Sequence, residues 1–179
     1  MSRYQEQRTW IGKAMFNITV RCGGFLSRHM WLYYVLNYTW GIIMTLVGWI
    51  AYLFARLFLR RKVVETGRFG PSHYVMLGDN WGGLEMGTNF FLADNMGDLW
   101  TLHTKQHEMG HTFQNAIFGP FTIFLVFLPS AIRYWYRRLT KGEKKDYDAI
   151  WFEGSASTVG KNCYETFPER FTDTTKMEL

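Results

Sequence analysis

The hydrophobic pattern of the chain changes character several times, and each change marks an element. From Met30 to Ala55 no residue is charged. That run exceeds the ~20 apolar residues that carry a helix across a bilayer core. Trp31, Tyr33 and Tyr34 stand near one end and Trp49 and Tyr52 near the other, as an aromatic belt would. Asn37, Thr39 and Thr45 are its polar exceptions. The pattern predicts a transmembrane helix within residues 30–59, with a long buried helix or a hairpin broken at Gly41 as rival readings. Residues 1–29 are a basic N-terminal segment carrying Arg3, Arg8, Lys13, Arg21 and Arg28. Their apolar residues, among them Trp10, Ile11, Phe16, Ile18 and Val20, suit an interfacial segment or a loose tail. The long apolar run starts too late and extends too far for a cleavable signal peptide.

A basic linker, residues 60–72, leads to a pattern of strands. His73–Leu77 and Leu84–Leu92 read as two strands joined by a glycine-rich turn through Gly78, Gly82 and Gly83. Asp94, Asn95 and Gly97 end the sheet region, and Asp98 is placed to cap a helix. Leu99, Leu102, Gln106, Met109, Phe113 and Ala116 then recur at spacings of three and four, one face of an amphipathic helix. Gly119-Pro120 stops it. Phe121–Ile132 is apolar but interrupted by Pro129, too short for an obvious second span. It predicts a buried or membrane-dipping segment within residues 117–136, with Tyr134-Trp135-Tyr136-Arg137-Arg138 at the interface. After a charged loop over 140–145, Asp146 or Asp148 caps a last helix running to about Cys163, and the tail after Phe167 is polar. Strands followed by helices within residues 73–179 give an α+β domain.

Composition sharpens the picture at three points. Eight Trp, ten Tyr and fifteen Phe favour a protein that meets the bilayer. The formal charge of +5 gathers beside apolar segments, at Arg60-Arg61-Lys62 and Arg137-Arg138, which suits anionic headgroups. No nucleic-acid motif is present, so no nucleic-acid partner is expected. Arg56, Arg60, Arg61, Lys62 and Arg68 crowd the C-terminal flank of the long apolar run, and the positive-inside rule therefore leans toward a cytoplasmic C-terminal domain. Cys22 and Cys163 form no Cys-x-x-Cys pair, which argues against a thiolate zinc site; two free thiols are expected.

The chemistry is concentrated at His107-Glu108-Met109-Gly110-His111. Histidines four apart on a helix share a face about one turn apart, so both imidazoles reach one metal ion at ~2.0–2.1 Å. Glu108, beside the first histidine, serves as a base without ligating, because zinc brings the pKa of the water it holds to near 7. His103 extends the series, but it stands ~12 Å from His111 along the axis at 1.5 Å per residue, so both cannot hold one ion. A catalytic zinc takes three protein ligands. In Trp151–Gly160, residues Glu153, Ala156, Ser157 and Gly160 share one helical face, three of them very small. A face of that kind lets two helix axes approach, as a glutamate must to reach a metal held on a neighbour. Glu153 is therefore the third-ligand candidate, with Glu143, Asp146 and Asp148 as rivals.

His107-Glu108-Met109-Gly110-His111 followed by Glu153-Gly154-Ser155-Ala156 resembles the gluzincin pattern of zinc metallopeptidases. The run Glu153 to Gly160 resembles the membrane-linked group that includes the CAAX prenyl proteases, with its Glu-x-x-Ala-Asp-x-x-Gly. The likeness covers roughly residues 73–163. It implies a minimal zincin-like domain behind the membrane helix, one Zn2+ held by His107, His111 and Glu153, and peptide-bond hydrolysis with Glu108 as general base. It also implies an edge strand, Leu84–Leu92, that pairs with extended substrate, and an oxyanion stabiliser for which Tyr147 and Tyr164 are candidates. Ser157 stands where that group has the aspartate that orients a ligating histidine. The competing functional readings are a non-catalytic zinc-stabilised membrane protein and a membrane-interaction module without metal.

Overall fold

A computed structural model describes residues 9–78, 81–94, 97–140 and 149–171, without the side chains of 137, 138 and 140. The predicted caps Asp146 and Asp148, the rival ligand Glu143 and the candidate Tyr147 lie outside the described residues. The chain is helix-rich with a small mixed sheet, an α+β architecture. Three helices come first: α1 (Trp10–Arg28), α2 (Met30–Tyr38) and α3 (Ile42–Phe58). The strands β1 (Val63–Phe69), β2 (Ser72–Leu77), β3 (Gly83–Met86) and β4 (Asn89–Ala93) follow, then α4 (Asp98–Phe118), α5 (Leu128–Thr140) and α6 (Trp151–Thr166).

The uncharged run is not one helix. It breaks at Thr39–Gly41, and α2 and α3 meet at 86°. Among the described residues no single helix is long and apolar enough to cross a membrane. The cause of the break lies in the polar residues of the run. Asn115 of α4 donates through Nδ2 to Asn37 Oδ1 (2.7 Å) and to Gly41 O (3.1 Å), while Thr45 donates to Asn37 O (2.9 Å). Asn37, Thr45 and Asn115 are all buried, so their pairing at the elbow offsets a desolvation cost of about 1–3 kcal/mol each. A straight helix through residue 41 would part Asn115 Nδ2 from Asn37 and Gly41, and Thr45 from the Asn37 carbonyl.

The sheet has the order β1-β2-β4-β3. β1 and β2 form an antiparallel hairpin, β2 and β4 are parallel, and β4 pairs antiparallel with β3, which is an edge. Two corrections to the sequence reading follow. Residues 63–69 of the basic linker are a strand, and Leu84–Leu92 is two strands turned at Gly87-Thr88. Every residue of β4 is buried. Side chains alternate across a strand, so Phe90 and Leu92 pack with Tyr74 and Met76 toward Met109 and Phe113 of α4. Val75 and Phe91 face Tyr52 and Ala55 of α3 on the other side. A strand covered on both faces reads as a continuous apolar run, as Asn89–Ala93 nearly does.

The N-terminal helices belong to the same body. Gly23 of α1 packs on Val159 of α6, and Tyr33 of α2 is fully buried with its hydroxyl donating to Thr112 of α4 (2.8 Å). α3 buries Thr45, Gly48, Tyr52 and Ala55 along one stripe and exposes Leu46, Ile50, Phe54, Leu57 and Phe58. α4 ends where expected, at Gly119, whose φ of +56° suits glycine. Its N-cap is Gly97, so Asp98 stands in the first turn and not at the cap position expected for it. The following 3₁₀ turn and a π-helical turn (Ile123–Phe127) bring α5 back at 117° to α4.

Candidate metal centre

The centre is built where α4 and α6 touch. A Cβ added to Gly110 would stand 2.8 Å from Ala156 Cα and collide with that residue's carbonyl, and one on Gly160 would collide with the carbonyl of Gln106. Only glycine allows this approach. It carries Glu153, fully buried, to the two buried histidines of α4.

His107 Nε2 and His111 Nε2 are 3.1 Å apart, and Glu153 Oε2 lies 3.1 Å from the first and 3.3 Å from the second. Tetrahedral ligands at ~2.0–2.1 Å from one ion stand about 3.3 Å from one another, so the three atoms fit three corners of a tetrahedral metal site. The other polar atom of each ligand is already held. His107 Nδ1 is 2.7 Å from Ser157 Oγ. His111 Nδ1 is 2.7 Å from Gln114 Oε1, and Gln114 donates through Nε2 to Phe152 O (2.6 Å) and Ser155 Oγ (2.9 Å). Those acceptors fix the Gln114 amide, so its oxygen takes a proton from His111 Nδ1 and leaves Nε2 as the ring atom that would ligate a metal once its own proton is displaced. Ser130 of α5 donates to Glu153 Oε1 (2.6 Å). Ser157, shorter than aspartate, nevertheless reaches its histidine because α6 lies so close.

The acids and imidazoles of the centre shift one another's proton affinities. Burial works to raise the Glu153 pKa, but hydrogen bonds from His107 and His111 outweigh it and hold the carboxyl below its ordinary range. Burial pulls His111 down, yet the Glu153 bond and the charges of Glu153, Glu108 and Glu85 lift it to about 9. Glu108 is raised by burial, against the opposing charges of His107 and His111.

Beside the three ligand atoms lies a cavity of about 450 Å³. Glu108, Glu85, Gly83 and Leu84 line one part of it, and Val126, Phe127, Ala131, Tyr134 and Trp135 another. A Cβ on Gly83 would strike the Glu108 carboxylate, so β3 passes directly over the base candidate. Tyr134 donates to Trp81 O (3.1 Å) and ties the α5 wall to the loop before β3.

The structure thus brings together His107, Glu108, His111 and Glu153. His103 is exposed, its ring 6.5 Å from that of His107. Tyr164 packs between Phe69 and Phe171 and does not line the cavity. Gln114, Ser130 and Glu85 were not singled out from the sequence, and Tyr134 was expected at the membrane interface rather than at the centre. Gln114 follows His111 by three positions, the spacing that would have suggested contact on a helix. Ser130 sits in the run Phe121–Ile132, which shows only its hydrophobicity.

Comparisons of the chain with protein-family models, with curated proteins and with solved structures find no match.

Proposed function

We propose that the chain is a zinc-dependent peptidase seated at a membrane surface, with His107, His111 and Glu153 as metal ligands and Glu108 as general base. One observation carries this reading: three donor atoms from two helices converge at tetrahedral spacing while Glu108, unligated, faces the adjoining cavity. Zinc bound there supplies a Lewis acid that lowers the pKa of water and polarises a carbonyl. Glu108 takes the proton of the attacking water and returns it to the leaving amine. β3 is the sheet edge beside the cavity, and its outer backbone groups offer pairing to an extended peptide.

The membrane seat rests on apolar surface. Ile43, Leu46, Ile50, Leu57 and Phe58 of α3 are exposed, as are Phe121, Phe124, Leu128, Ile132 and Trp135 on the segment from the end of α4 into α5. The two surfaces adjoin where the rings of Trp40 and Phe121 stand 6.1 Å apart. Apolar patches of this kind mark contact sites, and the basic cluster Arg60-Arg61-Lys62 after α3 suits anionic headgroups on the C-terminal side.

The test compares the parent protein with Glu108→Gln on a broad peptide library. The expected result is retained zinc and lost cleavage in the variant. Equal cleavage by both would refute the mechanism, and no cleavage by a zinc-loaded parent would leave zinc in a structural role.

A further inference from the structure

A second cavity, a groove of about 710 Å³, lies between α1, α2 and α4 and shares no lining residue with the one beside the metal centre. Its volume suits a small molecule. Phe25, Leu32 and Leu36 line it with other apolar side chains, and the half-buried Cys22 borders it. Trp40 brings an indole N–H that is already donated to Ile117 O (3.3 Å). Among the described residues that line the groove, Arg21 carries the only charge, and it is exposed. The walls thus offer an occupant hydrocarbon and one cation. An extended peptide would bury N–H and C=O groups there with no side chain but Arg21 to pair them, whereas an acyl chain has none to satisfy.

Charge and position say which amphiphile fits. α1 carries Lys13, Arg21 and Arg28 and no acidic residue. Arg21 and Arg28 are about two helical turns apart, so they project from one side of α1. Ile11, Ile18 and Phe25 repeat at the same interval, are exposed, and form an apolar row beside those cations. An apolar row bordered by cations suits a helix lying at an anionic lipid surface. Phe25 and Trp40 are exposed and both line the groove, and the Trp40 ring stands 6.1 Å from that of Phe121, part of the apolar surface assigned above to the membrane. The groove is continuous with that surface.

We propose that this groove holds an acyl chain of an anionic phospholipid, with Arg21 against the phosphate. The proposal rests on the membrane seat and not on the peptidase reading.

Cys22 reports occupancy. It is half-buried in the groove wall while Cys163 is buried, so a maleimide should label Cys22 alone in the folded protein. The labelling rate is measured on the full-length protein with dioctanoyl phosphatidylglycerol or dioctanoyl phosphatidylcholine, each below its micelle concentration. Both should protect the thiol, the phosphatidylglycerol at about fivefold lower concentration, the worth of one arginine at an anionic surface. Arg21→Gln changes an exposed position and should bring the two lipids to within about twofold of each other. Leu36→Trp should fill the groove and abolish protection by both. No protection by either lipid, a preference that survives Arg21→Gln, or octanoate protecting as well as phosphatidylglycerol would overturn the proposal. Flotation with vesicles of phosphatidylcholine and phosphatidylglycerol separates the two readings. Protein that floats with Cys22 unprotected by lipid removes the groove and leaves the membrane seat. Protection by the soluble lipid without flotation removes the seat and leaves the groove.

Discussion

Replacing Gly110 by alanine tests whether the close contact between α4 and α6 is what assembles the centre. The new carbon would stand 2.8 Å from Ala156 Cα, against 3.5–4.0 Å for ordinary carbon contacts, so α6 must retreat by about 1 Å. The new Cβ is fixed by the α4 backbone and the atoms it meets are Ala156 backbone, so neither side can swing away. Overpacking of this kind costs about 1–3 kcal/mol, and for a chain of this length each kcal/mol lowers Tm by about 2–4 °C. The larger effect falls on the metal. Zinc sites tolerate about ±0.2 Å in ligand distance, so a retreat of 1 Å takes Glu153 out of the ligand set. Zinc affinity should fall by at least 100-fold, the upper end of what altered supporting groups cost. Gly24→Ala in α1 is the control, since a Cβ there meets nothing within 4 Å. It should raise stability by about 0.5–1 kcal/mol through helix propensity alone. The assay is chelator competition for zinc alongside thermal unfolding of both variants. Gly110→Ala with parental affinity and unchanged Tm would refute the reasoning.

Ser157→Ala should weaken zinc binding by about 10–100-fold in the same competition assay, because His107 Nδ1 loses its 2.7 Å partner, while Tm changes little with zinc in excess. The metal-free protein should lose stability as pH rises. Glu85 is raised by burial from 4.5 to about 8, and His111 from 6.5 to about 9, so each contributes stability below its unfolded value that is lost through its folded one. Glu85→Gln should therefore flatten the fall between pH 4.5 and 8 and leave the part up to about 9 from His111. Denaturant unfolding across that range checks both, and an unchanged slope in the variant would contradict the raised Glu85 pKa.

What could be read from the chain alone was local. His107, Glu108 and His111 lie within one helical turn, so their shared face follows from helix geometry. Glu153 was legible because the small residues at Ala156, Ser157 and Gly160 announce a close helix contact without naming the partner. The elbow at Gly41 was legible only as a rival to one straight span, because the group that satisfies Asn37 and Gly41 is Asn115, more than seventy positions away. Read without that partner, an uncharged run long enough for a bilayer looks like one straight span. β1 was hidden by Glu65 and Arg68, which are tolerable on a sheet edge and resemble a linker. The division of Leu84–Leu92 depends on Gly87, where φ is +69°. The wall formed by Ser130 and Tyr134 depends on a 117° turn after Gly119 that hydropathy does not encode.

The most direct test of the central claim is elemental analysis of the purified, folded full-length protein, paired with His111→Ala. Three converging ligand atoms predict close to one zinc per chain in the parent and almost none in the variant. A folded parent that binds no zinc when it is supplied, or a variant that retains a full equivalent, would contradict the assignment of His107, His111 and Glu153 as a metal centre.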